Sequence, residues 1–137
     1  MANTIRPIDY CYVTVDDSPG EALRILTGLK EAGVNLLACC GFPVEAGKAQ
    51  IDLVPEDPER FRQTAENLGL QVSNLKRAFL IQGEDRVGAA AEILNTLSGQ
   101  GINVVGSQAV SAGSGRWGMI LWVKPDDYGR ASQALGV

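Results

Sequence analysis

Apolar and polar positions in this chain change period in the same order twice. Tyr10-Cys11-Tyr12-Val13-Thr14-Val15, rich in β-branched and aromatic residues, predicts a strand, and Asp16-Asp17-Ser18-Pro19-Gly20 closes it with turn residues. Ala22, Ile25, Leu26 and Leu29 then fall at i, i+3, i+4 and i+7, one face of a helix. That helix is predicted to start with Asp17 or Ser18 as N-cap and Pro19 in the first turn, and to stop at Gly33. Residues 34–40 and 49–54 read as two strands joined by a Gly- and Pro-containing loop. In the second of these, Ala49, Ile51 and Leu53 alternate with Gln50 and Asp52, the pattern of a strand wet on one face. Glu56-Asp57-Pro58 opens a second helix with Phe61, Ala65 and Leu68 on its inner side, and residues 70–73 are predicted as a short final strand. The order is β-α-β-β-α-β, the ferredoxin-like split unit of the α+β class.

The second half runs through the same order. Asp17, Gly20, Ala22, Ile25, Leu26, Leu29, Gly33 and Asn35 recur 68 residues later as Asp85, Gly88, Ala90, Ile93, Leu94, Leu97, Gly101 and Asn103. These are 8 identities in 19 ungapped positions, where ordinary residue usage gives about one by chance. Strands are predicted over 78–82, 102–110 and 116–123, and helices over 89–97 and 126–135. In the last stretch the offset drops to 67, since Phe61 and Leu68 match Tyr128 and Leu135. The expectation is two tandem units, residues 1–75 and 76–137. Val137 corresponds to Leu70, so the second unit is expected to lack its own last strand.

Composition narrows the partners. Twelve basic and sixteen acidic residues, with no dense run of either sign, argue against binding to a phosphate backbone. No apolar run approaches the roughly 20 residues of a spanning helix, and the first residues are too polar for a secretory signal, so a cytoplasmic protein without a membrane segment is expected. Three cysteines, Cys11, Cys39 and Cys40, read as reduced core residues. Histidine is absent, which removes the commonest general base and transition-metal ligand. No nucleophile has a sequence-supported base and no phosphate loop is present, so neither catalytic residues, nor metal ligands, nor a cofactor are expected.

Recurrent residues mark two places in each half. One is the turn into the first helix, Asp17-Ser18-Pro19-Gly20 and Asp85-Arg86-Val87-Gly88; the other is the exit from it, with Asn35 and Asn103. Capping and turn formation explain each part taken singly. The same groups also suit a small zwitterion. A Gly-containing loop ahead of a helix offers amides to a carboxylate, Asp accepts from an ammonium group, and Asn both donates and accepts. Arg86 is read as solvated or as a partner for an anionic ligand group.

With these motifs in their β-α-β-β-α-β setting, the chain resembles a tandem pair of ACT domains with no attached enzyme. The second copy departs from the family pattern by carrying Val87 where Pro19 stands in the first. The resemblance implies regulation by a small ligand, most often an amino acid, held near the strand-to-helix loop at an interface between domains. It assigns the ligand to Asp17, Ser18, Pro19, Gly20 and Asn35 in the first copy, and to Asp85, Arg86, Gly88 and Asn103 in the second. A regulated enzyme is the implied partner. The competing reading is an association module that binds no small molecule. A homodimer is expected, because the strand over 78–82 would present an open edge and Ile120 and Trp122 occupy the neighbouring strand's outer face. Filling of that edge by residues 2–7 is the alternative.

Overall fold

The computed structural model describes residues 3–137. Its elements run β1 (Thr4–Asp16), α1 (Glu21–Glu31), β2 (Leu36–Glu45), β3 (Lys48–Pro55), α2 (Pro58–Asn67), β4 (Lys76–Glu84), α3 (Ala89–Ser98), β5 (Val104–Gly113), β6 (Arg116–Val123) and α4 (Tyr128–Leu135), with a 3-10 turn at Pro125–Asp127 ahead of α4. Among the described residues this is an α+β fold of six strands and four helices. The chain divides into two compact units, Asp9–Lys76 and a second that joins the residues through Ile8 to Arg77–Val137. They are called the amino-terminal and carboxy-terminal units below. The single strand β1 begins in the carboxy-terminal unit and ends in the amino-terminal one.

In the amino-terminal unit the strand order is β2-β3-β1, antiparallel throughout. Alternate residues Cys11, Val13, Ile51 and Leu53 project onto the face that Ile25 and Leu29 of α1 and Phe61 and Ala65 of α2 cover. Each fully buried side chain of this size stabilises the fold by about 1.5–3 kcal/mol. The α2 start is capped as such helices are, with the Asp57 carboxylate accepting from the Arg60 amide at 3.1 Å and Pro58 opening the first turn.

Three expectations fail in this unit. Asp52 is not on a wet face: it is buried, 3% exposed, beside Tyr12 and Cys40 in the register. Cys39 is exposed on β2, so only Cys11 and Cys40 are buried thiols. Residues 70–73 do not form a strand. Tyr12 N–H donates to Ser73 Oγ and Ser73 N–H to the Tyr12 carbonyl, both at 2.9 Å, while Ser73 Oγ also donates to the Asn74 carbonyl. A serine hydroxyl has taken a position in the ladder that a backbone carbonyl would fill.

The carboxy-terminal unit has the strand order β1-β4-β6-β5, with β4-β6 and β5-β6 antiparallel. Phe79, Ile81, Trp117, Met119 and Leu121 face Ala89, Ile93 and Leu97 of α3 and Ala131 of α4. The Phe79 and Tyr128 rings stack with centroids 4.6 Å apart, and the Arg77 guanidinium lies 4.5 Å from the Tyr128 centroid. The expected open edge of β4 is occupied by β1. Ile5 packs on this unit's core, and Asn3 Oδ1 accepts from Trp117 Nε1 at 3.4 Å. Ile120, expected on an open outer face, is 5% exposed. It is therefore not a free contact surface.

Candidate functional site

Two short loops carry most of the residues singled out by the sequence, and the backbone builds them alike. Asp17 N–H donates to the Gly47 carbonyl at 2.9 Å, and Asp85 N–H to the Gly115 carbonyl at 2.8 Å, which ties each loop to the following hairpin. Gly20 and Gly88 then turn left-handed, with φ of 93° and 83°, and each is the N-cap of its helix. Only glycine takes this conformation without strain. The expected N-cap role of Asp17 or Ser18 is thereby corrected: α1 starts at Glu21, after Gly20, with no capping side chain. α3 likewise starts uncapped after Gly88. The early amides of both helices thus lack the side-chain oxygen that usually satisfies them.

Capping therefore does not account for the recurrent aspartates. Asp85 Oδ2 instead accepts from Ser111 Oγ at 2.8 Å, which fixes the carboxylate and leaves Oδ1 for another donor. A cleft of about 270 Å³ opens here, lined by Asp85, Arg86 and Gly88, by the first turn of α3 (Ala89, Ala90, Ala91), by Ala109, Val110 and Ser111 of β5, and by Trp117. Its chemistry is divided. A carboxylate lies on one side, an uncapped helix start on another, and small apolar residues with an indole form the remainder. The arrangement offers an acceptor to a cation and amides to an anion, with apolar wall between.

Arg86 is engaged inside this unit. Its guanidinium makes two hydrogen bonds to the Glu92 carboxylate, one of them Nη1 to Oε1 at 2.7 Å. These bonds hold the exposed Glu92 carboxyl below its ordinary range and push the Arg86 guanidinium up. Arg86 borders the cleft as half of an ion pair. Val87, in the position of Pro19, points fully into solvent and is not part of the lining.

The asparagines sit elsewhere. Asn35 follows the far end of α1, whose 11 residues span about 16 Å, so Asn35 and the loop 17–20 cannot grip one small zwitterion within one unit. Asn35 Nδ2 donates to Glu56 Oε2 at 2.7 Å, and the Glu56 amide donates to the Asn35 carbonyl at 2.9 Å. It borders a cleft of about 550 Å³ with Gly33, Glu56, Asp57 and Arg60. Asn103 likewise lies beyond the far end of α3 from Gly88 and is exposed. Ser111 and Trp117 were not legible as site residues. The β5-β6 register brings them to the loop, and neither has a counterpart of its own type at the 68-residue offset.

Among the described residues no cluster of three or more His, Cys, Asp or Glu side chains is placed to hold a metal. No helix among them is long and apolar enough to cross a membrane.

Residues 78–136 match the family model of the ACT domain. No curated protein matches the chain. Among solved structures, a Bacteroides thetaiotaomicron protein superposes with a TM-score of 0.81 at 16% identity, covering 96% of this chain and 88% of that one. The ligand-free regulatory subunit of aspartate kinase from Thermus thermophilus gives 0.65 at 14% identity, covering 98% and 94%. The corresponding Thermus flavus subunit gives 0.58 at 18% identity, covering 98% and 94%. At these identities the likeness is one of fold.

Proposed function

We propose that this chain is a regulatory protein built on the ACT fold, that it binds a free amino acid or similar small zwitterion, and that it performs no catalysis itself. The observation that carries this reading is the cleft at Asp85–Ala91, where a fixed carboxylate and an uncapped helix start face one small volume. An α-ammonium group suits Asp85 Oδ1, an α-carboxylate suits the first-turn amides, and Ala109, Val110 and Trp117 leave room for an uncharged side chain. The match over 78–136 and the regulatory aspartate kinase subunits among the structural neighbours support the class of role.

The reading extends to the whole chain. The two units are tandem copies of one ancestral fold, supported by the shared loop geometry at Gly20 and Gly88. The loop 17–20 is a second ligand position. Asn35 and Asn103 are further ligand-binding positions, each out of reach of the loop in its own unit. The protein works in the cytoplasm as a homodimer and acts on a regulated enzyme.

Thermal-shift screening with the twenty amino acids tests the reading. A ligand at 100 times its dissociation constant adds about 2.7 kcal/mol to stability. Asp85→Asn and Gly88→Val are each expected to remove the part of the shift that comes from the cleft at Asp85, leaving only what the loop 17–20 contributes. A flat screen would instead favour an association module that binds no small molecule, and a shift that survives both substitutions would move the ligand away from the cleft at Asp85.

A further inference from the structure

Every side-chain donor that lines the cleft at Asp85 is already engaged inside its own unit. Arg86 is held by Glu92 through two hydrogen bonds, the Ser111 hydroxyl donates to Asp85 Oδ2 at 2.8 Å, and the Trp117 indole N–H donates to Asn3 Oδ1 at 3.4 Å. Few polar groups are left for a ligand. Asp85 Oδ1 can accept. In the first turn of α3 the Ala89 amide is taken by the Arg86 carbonyl at 3.2 Å, whereas the Ala90 and Ala91 amides meet no acceptor among the described residues. These groups suit the ammonium and the carboxylate that all free amino acids share. They do not tell one amino acid from another.

The rest of the wall does. It is hydrocarbon: the alanines of the first turn, Ala109, Val110 and the Trp117 ring. Charge is scarce around it, since Glu92 is the one charged residue from Val87 to Gly115 and it is paired with Arg86. A side-chain carboxylate, ammonium or amide laid against this wall would give up water and find no partner, which weakens binding. A hydrocarbon side chain gains there instead, by about fourfold in affinity for each methylene fully buried.

Taking the cleft as a zwitterion site, as above, we propose that its ligand is an amino acid with an apolar side chain, laid against Ala109, Val110 and the Trp117 ring. The size agrees. At about 270 Å³ the cleft lies just under the ~300 Å³ at which pockets for drug-sized molecules begin, the scale of a single free amino acid. The preference belongs to this cleft alone. At the 68-residue offset Glu21, Pro43 and Ala49 stand in place of Ala89, Ser111 and Trp117. The loop 17–20 thus lacks the hydroxyl and the indole at these positions, and has a carboxylate where the wall at Asp85 is apolar.

Leucine, asparagine and aspartate are the probes, because their side chains branch alike at Cγ and differ in polarity. Tryptophan emission of the full chain follows each titration. Both tryptophans, Trp117 and Trp122, lie in the carboxy-terminal unit, so the signal belongs to the cleft at Asp85 and not to the loop 17–20. Leucine should bind with a dissociation constant at least tenfold below those of asparagine and aspartate, and Asp85→Asn should weaken it at least tenfold. Should Asp85→Asn fail to fold, the ranking of the three ligands on the wild type is the test by itself. Asparagine or aspartate binding within tenfold of leucine, or more tightly, overturns the apolar preference and leaves the zwitterion site standing. No emission change with any of the three, or leucine binding that Asp85→Asn leaves untouched, overturns the zwitterion site and the preference with it.

Discussion

Asp52 shows how far a single side chain can depart from its sequence pattern. It stands in an alternating strand, where its neighbours Ile51 and Leu53 are core and it would be expected to face water. Instead it is buried, its carboxylate accepting a hydrogen bond from Gln50 Nε2 at 2.8 Å. Burial raises the carboxyl above its ordinary value, and the Gln50 bond and the charge of Lys76 only partly oppose it. Tyr10 and Cys40 are pushed up in turn, by their own burial first and the Asp52 charge second. The sign follows from linkage. A carboxyl whose pKa is raised on folding contributes fully below its unfolded value, near 4, and loses that contribution as pH rises through the folded value. Asp52→Asn should therefore match the wild type in acid and grow more stable relative to it as pH rises above 4. Urea titrations across that range would show a gap that widens with pH. A constant gap would mean that the carboxyl is not the titrating group.

The elements were legible where one face is buried and the other is not. Helix positions Ile25, Leu29, Ile93 and Leu97 are all buried at the predicted spacing, and β6 spans Arg116–Val123 as predicted. Strand ends were less legible: β2 and β5 run to Glu45 and Gly113, past the predicted 40 and 110, because hairpin pairing with β3 and β6 extends them. That pairing also gives Gly106 its meaning. It stands opposite Trp122 in the register, and a Cβ there would collide with the indole ring. Gly106→Ala should cost about 1–3 kcal/mol, since overpacking forces the ring or strand to shift; equilibrium unfolding measures it. β1 makes a further test. Ile5→Asp should destabilise the carboxy-terminal unit by about 1–3 kcal/mol through lost apolar burial and a poorly solvated charge. Hydrogen exchange should then quicken in β4 and β6, more than 70 residues away in sequence, before it does in β2 and β3.

For the whole molecule, the division of charge is as informative as the division of the chain. The stretch 87–115 holds one charged residue, Glu92, whereas the matching stretch 19–47 holds five. The carboxy-terminal unit also illustrates how an exposed edge is managed. The chain's own first strand covers β4, which leaves β5 as the unguarded margin of that sheet.

The sequence by itself determined whatever depends on neighbours a few positions apart: helix faces, the glycine turns at Gly20 and Gly88, and the repeated order of elements. These follow from local sterics and from the periods of 3.6 and 2, which any segment carries within itself. Tertiary structure alone decided whatever depends on residues distant in the chain. It buried Asp52, put β1 against β4, placed Asn35 away from the loop 17–20, and brought Ser111 and Trp117 to Asp85. Such contacts are selected by strand register and by packing among whole elements, and no local pattern of residues encodes either.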